Sequence, residues 1–515
     1  MKKIFVVSIL AFVAMTTAFA QNQITLLKDN LCKPRAIPWL VSASLEGSDN
    51  QHYTYNADFY DDAAKHYRAD AVLCMDKSGA GVSEIRLDIP DDYHFKTFYE
   101  GESDLYGIYS LYDRKTKVYT LYVNVLEKDQ HKASWDPQKL LSVTSEKRDD
   151  IYSFVSVSPD GKKAALSVIL ANKKGNMKGS SVMVLGEGGE QLWDNSFDPE
   201  FSNPSFFITD MVVSNKGEVY IGAVSYANET RKTRDNETFH LYEITNNDVK
   251  VVDEKVGFGY ICNGKLLIKK NGELVCGGYF NNNLNEKAKG SYMMVFEENA
   301  SSVKNTSHQN FPANYYNEPK TSLGSLRGDK MSVEVNDLYE FQDGTMVMLG
   351  EQRELVTRTV TNKYGMTTTY YFFHARNILT NFADADGNIG TFEMIPKYQI
   401  AGSFFYLMNI KQLRSYGYSF ISFMHNNKVE IIYPDNVDNY LGKSGLVCKS
   451  GSTSKHCSIL RTIEANNQVS DPVMIINPKM SKTRMTNPLF IDEDGLLFIA
   501  AGKKAGQLMR LSYDF

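Results

Sequence analysis

The feature that most constrains this chain is a turn-and-strand unit that recurs along it. Five segments share it: Ser158-Pro-Asp-Gly-Lys-Lys-Ala-Ala-Leu-Ser, Ser214-Asn-Lys-Gly-Glu-Val-Tyr-Ile-Gly-Ala, Lys270-Asn-Gly-Glu-Leu-Val-Cys-Gly-Gly, Gln342-Asp-Gly-Thr-Met-Val-Met-Leu-Gly and Glu493-Asp-Gly-Leu-Leu-Phe-Ile-Ala-Ala. Counting from each turn glycine, the fourth residue is Ala165, Ile221, Cys276, Met348 or Ile499, and the sixth is Ser167, Ala223, Gly278, Gly350 or Ala501. The fourth is always apolar and the sixth always small. Residues two apart on a strand share a face, so one face carries an apolar residue followed by a small one, as close packing between successive sheets requires.

The turn glycines at 161, 217, 272, 344 and 495 are spaced by 56, 55, 72 and 151 residues. The last gap is about twice the others, and Asn426-Asn427-Lys428 near its middle supplies the missing turn. Upstream, Glu100-Gly101 and Glu46-Gly47 continue the series. A second turn recurs within each unit, as in Leu241-Tyr-Glu-Ile-Thr-Asn-Asn-Asp-Val and Phe382-Ala-Asp-Ala-Asp-Gly-Asn-Ile. Two hairpins per unit give four antiparallel strands, which is a β-propeller blade. Helical periodicity is almost absent, which disfavours a βαβ solenoid. The expected fold is therefore all-β: one β-propeller of four-stranded antiparallel blades over residues 21–515, with an irregular insert near 311–333. Eight turns give eight blades, with seven the alternative, because the Gly47 unit lacks the small residue. Gln507 to Phe515 supplies only a third strand, so the N-terminal strand Gln23–Lys28 is expected to close the ring and remove a free sheet edge.

The stretch Ser158-Pro159-Asp160-Gly161-Lys162 and the apolar alternation after it resemble the blade signature of TolB-type and related WD40-like propellers. The resemblance implies that fold over most of residues 30–515 and the binding or scaffolding roles common in the superfamily. It carries over no catalytic residue.

Lys2 and Lys3, an apolar run from Ile4 to Met15, and Ala18-Phe19-Ala20 have the layout of a secretory signal peptide over residues 1–20. The apolar run falls short of the roughly 20 residues that span a bilayer, and no later segment is long enough. The mature chain is expected to begin at Gln21, without a membrane span, in a periplasm or outside the cell. Losing two lysines takes the net charge from −5 to −7, which with a pI near 6.1 argues against a nucleic-acid partner. Six cysteines in an exported chain permit disulfides. If Gly451-Ser-Thr-Ser454 is a hairpin tip, Cys448 and Cys457 face each other across it. By the same reasoning Asn271-Gly272 sets Leu267 opposite Cys276, leaving Cys262 opposite Asn281.

Catalytic signatures are missing: there is no His-Glu-x-x-His, Gly-x-Ser-x-Gly, phosphate-binding Gly-x4-Gly-Lys-Ser/Thr or Cys-x-x-Cys. Asp384-Ala-Asp386-Gly-Asn388 resembles the start of a calcium loop, but the acidic residue expected at its twelfth position is missing, so it is read as a turn and no cofactor is assigned. His374, between strand residues, is read as structural. Eight residues before the turn glycines stand Ser153, Thr209, Gly264, Asn336 and Asn487, followed by Asp210 and Asp337 in two cases. These small or polar groups are expected at one mouth of the channel, as a ligand ring or as partners for backbone donors.

Polar inserts at 171–181, 226–238, 281–290 and 351–368 all connect second to third strands and so emerge on one face. They carry Lys173, Lys174, Lys178, Arg231 and Arg353, an excess of positive charge suited to an acidic glycan or protein. The expected function is therefore a non-catalytic, exported propeller that binds a protein or polysaccharide through this face or the channel mouth. The alternatives are a polymer-acting hydrolase or lyase using Asp210 and Asp337, and a module of a cell-envelope assembly. Arg327-Gly328-Asp329 is read as a chance triplet.

Overall fold

The computed structural model describes residues 82–403 and 419–476, apart from short gaps and the stretches 198–204 and 313–331, together with strands within 23–76 and 484–512. Among the described residues the chain forms eight sheets of four to six strands, mostly antiparallel. We number them 1 to 8 by the strands that open them: Leu40–Glu46, His94–Glu100, Ile151–Val157, Ser205–Val213, Tyr260–Ile268, Ser332–Glu340, Ile421–His425 and Arg484–Asp492. Most of each sheet is built from strands that follow one another in the chain, with short parallel additions in sheets 1 and 6. Sheet 8 takes its fourth strand from the other end of the chain, where Gln23–Cys32 runs antiparallel to Gly506–Ser512 and pairs Gln23 with Ser512 and Leu26 with Met509.

The repeated turn explains these hairpins. Gly161, Gly217, Gly272 and Gly344 have φ of +75°, +91°, +88° and +83°, and each N–H donates to the carbonyl three residues back at 2.8–3.1 Å. A left-handed residue at that point is cheap only for glycine, which is why the turn residue recurs. Where glycine is missing, Asn426 and Asn427 adopt φ of +46° and +58° and close a two-residue hairpin between Ile421–His425 and Lys428–Asn436. Asparagine tolerates this region better than other side chains.

The turn also corrects the expected register of sheet 5. The loop holds three residues centred on Asn271, so Leu266, not Leu267, lies opposite Cys276. A bulge at Cys262 shifts the ladder again and leaves Tyr260 opposite Asn281. The two-residue loop assumed from Asn271-Gly272 leaves out Lys270, the first of three loop residues that end on the left-handed Gly272.

The alternating faces pack as the sequence pattern requires. Apolar layers join sheet 1 to 2, 2 to 3, 3 to 4, 4 to 5, 5 to 6 and 6 to 7, with Leu166, Ile221, Tyr279, Met348 and Ile431 fully buried within them. The small sixth position has a visible cause at Gly350, where a Cβ would stand 2.2 Å from the Tyr279 hydroxyl of sheet 5. The opening strands abut from sheet 1 through sheet 6, and again from 7 to 8 and from 8 to 1. Between sheets 6 and 7 the Tyr339 hydroxyl donates to Ser422 Oγ at 3.1 Å.

Cys448 and Cys457 are not opposite each other on one hairpin. Cys448 pairs in parallel with Gln399 in sheet 6, whereas Cys457 lies opposite Asp435 in sheet 7 and its thiol donates to the Asp435 carbonyl at 3.5 Å. The short strand holding Cys448 is captured by a neighbouring sheet, which spacing within one segment does not reveal.

Candidate functional site

The opening strands of sheets 4, 5 and 6 each carry a bulge, at Thr209, Cys262 and Asn336. A bulge bends its strand and re-aims the next side chains. Asp210 and Asp337 follow two of these bulges, and both reach the neighbouring sheet. Asp210 Oδ2 accepts from the Leu266 N–H at 2.9 Å. Burial raises the Asp210 carboxyl above its ordinary value, with backbone donors and Lys265 opposing. Lys265 Nζ in turn donates to the Asn336 carbonyl at 2.8 Å and to Asp337 Oδ1 at 3.3 Å. Ser422 Oγ donates to Asp337 Oδ2. The result is a polar belt that crosses the opening strands of sheets 4 to 7. It brings Asp210, Asn336 and Asp337 into one network, as their spacing from the turn glycines suggests. Their carboxylate and amide oxygens accept from neighbouring strands. Asn487 lies on the opening strand of sheet 8, with its side chain outside the described residues.

Towards the insert end the belt continues into a buried charge cluster. Arg353, expected as an exposed insert residue, is only 9% exposed. It donates from Nε to Glu351 Oε2 at 2.7 Å, from Nη2 to Asn336 Oδ1 at 2.8 Å, and from Nη1 to Glu334. The cause is that the 351–368 insert is no loop: strands Met346–Thr361 and Thr367–Ala383 run through it as one long hairpin, so its base lies inside the protein. Glu351 is completely buried and also accepts from Lys397 Nζ and from Ser419 Oγ. Burial alone would raise its carboxyl, but the Lys397 and Arg353 charges outweigh it and hold the group at about 2. Burial lowers the Lys397 ammonium against the pull of Glu351. With three donors converging on it, Glu351 is the fixed anion of the cluster. Gln399 Nε2 ties this region to the Pro434 carbonyl at 2.7 Å.

Sequence reasoning missed a Ser-His-Asp chain in sheet 4. Ser225 Oγ lies 2.6 Å from His240 Nε2, and His240 Nδ1 lies 2.7 Å from Asp253 Oδ1. The three stand on adjacent strands, with His240 opposite Asp253 and Ser225 diagonal to it, so only the register reveals them. The order matches that of an activated serine nucleophile. The burial does not: Ser225 is 6% exposed while the Asp253 side chain is 59% exposed, which sets the hydroxyl at the inner end and the carboxylate in solvent. This arrangement ties three strands together.

The basic inserts are described only in part. Lys173, Lys174 and Arg231 lie outside the described residues, and Lys178 falls on the strand Met177–Leu185 with its side chain outside them. In the 226–238 insert Arg234 lies over the Tyr226 ring at 4.8 Å and the Phe207 ring at 5.3 Å, and donates to the Ile261 carbonyl at 3.0 Å. At Asp384 the carboxylate accepts from the Asp386 and Asn388 N–H groups at 3.0 and 2.9 Å and from Asn388 Nδ2 at 2.9 Å. These are the bonds of an Asx turn, with Gly387 at φ +83°. Asp386 pairs with Lys304 at 3.3 Å. His374 is buried, its Nδ1 3.1 Å from the Tyr398 hydroxyl, and burial lowers it to about 4.

No family model matches this sequence, and no curated protein matches it. Among solved structures it is similar to the Dos1 propeller, with 8% identity and a TM-score of 0.41 over 96% of this chain and 95% of that one. It is similar to prolyl oligopeptidase B from Galerina marginata, with 9% identity and a TM-score of 0.40 over 96% of this chain, which spans 57% of that protein's length. The β-propeller domain of the Trilobed protease from Pyrococcus furiosus is also similar, with 10% identity and a TM-score of 0.33 over 72% of this chain and 94% of that one.

Proposed function

We propose that this chain is an exported, non-catalytic β-propeller that binds an acidic polymer, foremost a polysaccharide, through the face carrying its inserts. In this reading the eight sheets are eight blades. The ring closes where Gln23–Cys32 completes the last sheet, and a signal peptide over residues 1–20 is removed during export. Support for the ring comes from the order of the opening strands, which abut in series, sheets 6 and 7 through Tyr339 and Ser422, and return from sheet 8 to sheet 1.

The observation that carries the binding reading is the hairpin of sheet 6. Its strands of 16 and 17 residues extend past the rest of the sheet; the turn between them presents Tyr364 and Met366 at 75% and 63% exposure, and further along the same hairpin the exposed Arg358 lies opposite Tyr370. An exposed aromatic ring at the tip and a cation on the same hairpin suit a sugar polymer bearing carboxylates or sulfates. The alternative built on Asp210 and Asp337 has less support, because both carboxylates are engaged by donors from neighbouring sheets.

The test is retention of the mature protein on polygalacturonate and on dextran at low and high salt. Salt-sensitive binding to polygalacturonate alone, weakened by Tyr364→Ala/Met366→Ala, is expected. Equal retention by the double variant, or none by the wild type, would overturn the reading.

A further inference from the structure

Sheet 7 carries an insert of its own, residues 437–455, between its strands Lys428–Asn436 and His456–Ile463. Like the hairpin of sheet 6, it joins a second strand to a third. Its sequence holds three lysines, Lys443, Lys449 and Lys455, against one acid, Asp438, in a chain that is acidic overall.

The insert is built into the base of the sheet 6 hairpin. Gln399–Ser403 pairs with the hairpin from Ala375 back to Tyr371, and Cys448–Lys449 of the insert pairs in parallel with Gln399 and Ile400. The Cys448 N–H donates to the Tyr398 carbonyl at 2.9 Å, and Gln399 Nε2 holds the Pro434 carbonyl just before the insert begins. Neighbouring strands stand about 4.8 Å apart, so the insert strand lies two spacings, about 10 Å, from the hairpin.

Lys443 and Lys455 come from opposite ends of the insert and converge on Asp438. Their Nζ atoms lie 3.9 Å from its Oδ1 and 3.1 Å from its Oδ2. One carboxylate thus serves two ammonium groups and leaves one positive charge uncompensated. Both lysines are exposed, and ion pairs in solvent are weak, so either can turn to another anion at little cost. The same segment exposes Tyr440 and Leu441, at 39% and 67%. Cation and aromatic ring recur here as on the hairpin, which suits the next stretch of an anionic sugar chain.

We propose that an acidic polymer held on the sheet 6 hairpin continues onto the sheet 7 insert, where Lys443 and Lys455 take a further anionic group and Tyr440 covers a sugar ring. This rests on the binding reading of the hairpin and extends it to a second sheet.

The test is the affinity of the mature chain for polygalacturonate, measured at two salt concentrations. Lys443→Ala/Lys455→Ala should weaken binding about fivefold and flatten its salt dependence, with an unchanged thermal midpoint. Lys443→Arg/Lys455→Arg should bind as the wild type does. Asp438→Asn, which frees both lysines, should bind about threefold more tightly, an effect of opposite sign that lost structure would not produce. Wild-type affinity in the alanine variant, with binding still weakened by Tyr364→Ala/Met366→Ala, would overturn this proposal and leave the hairpin reading standing. Weakening by the lysine changes alone would confine the polymer to sheet 7 and overturn both, as would no binding by the wild type.

Discussion

Lys265 on the opening strand of sheet 5 and Asp337 on that of sheet 6 are joined Nζ to Oδ1 at 3.3 Å, and the same ammonium holds the Asn336 carbonyl at 2.8 Å. One side chain thus fixes the neighbouring sheet at its bulge. Asp337→Ala removes the acceptor of both Lys265 and Ser422 and should cost about 1–3 kcal/mol. Urea denaturation checks it, and an unchanged midpoint would contradict the tie.

Glu351 should matter more, because it is the anion between two buried cations. Glu351→Gln leaves Lys397 and Arg353 without their shared charge and should destabilise by about 3–5 kcal/mol. Glu351→Leu/Lys397→Met, which removes both members of the most buried pair, should cost less than the single change. If the double variant is the less stable one, the pair is not the unit of the cluster.

Stability should peak at mildly acidic pH. Burial raises Asp435 to about 6 and Glu430 to about 7 from ordinary values of 3.8 and 4.5. Groups raised on folding bind protons more tightly folded than unfolded, so stability rises as pH falls through that window. Glu351, held at about 2, works the other way: its contribution is present above its ordinary 4.5 and is lost as pH falls towards 2. The thermal midpoint should therefore rise from about pH 8 to about pH 5 and drop below about pH 4. Asp435→Asn and Glu430→Gln should flatten the rise, and a midpoint that climbs steadily with pH would contradict it.

Ser225 should not act as a nucleophile. A fluorophosphonate probe is expected to leave it unlabelled, while His240→Ala, which breaks both bonds of the chain, should cost about 1–3 kcal/mol. A stoichiometric adduct on Ser225 by mass spectrometry would reverse this assignment.

Much of the strand order was legible because the turn chemistry repeats. A left-handed residue at one point of each hairpin demands glycine or asparagine, and Gly161, Gly217, Gly272, Gly344 and the Asn426-Asn427 pair all mark hairpins. The small sixth position was legible for the same reason, since Tyr279 leaves no room for a Cβ at Gly350. What escaped depends on register or on contacts between units. The one-residue shift at Cys276 comes from loop length, the capture of Cys448 by Gln399 from a neighbouring strand, and the burial of Arg353 from strands that run on through an apparently polar insert. Asp210 and Asp337 were found by spacing, but that each reaches another sheet was not visible in it.

The most direct test of the central claim, that this protein binds an acidic polysaccharide without altering it, is one incubation with polygalacturonate read for both retention and products. Salt-sensitive retention, weakened by Tyr364→Ala/Met366→Ala, with no new reducing ends and no unsaturated uronates, is the result expected. Release of shortened or unsaturated chains would contradict it and return Asp210 and Asp337 to consideration as a reaction centre.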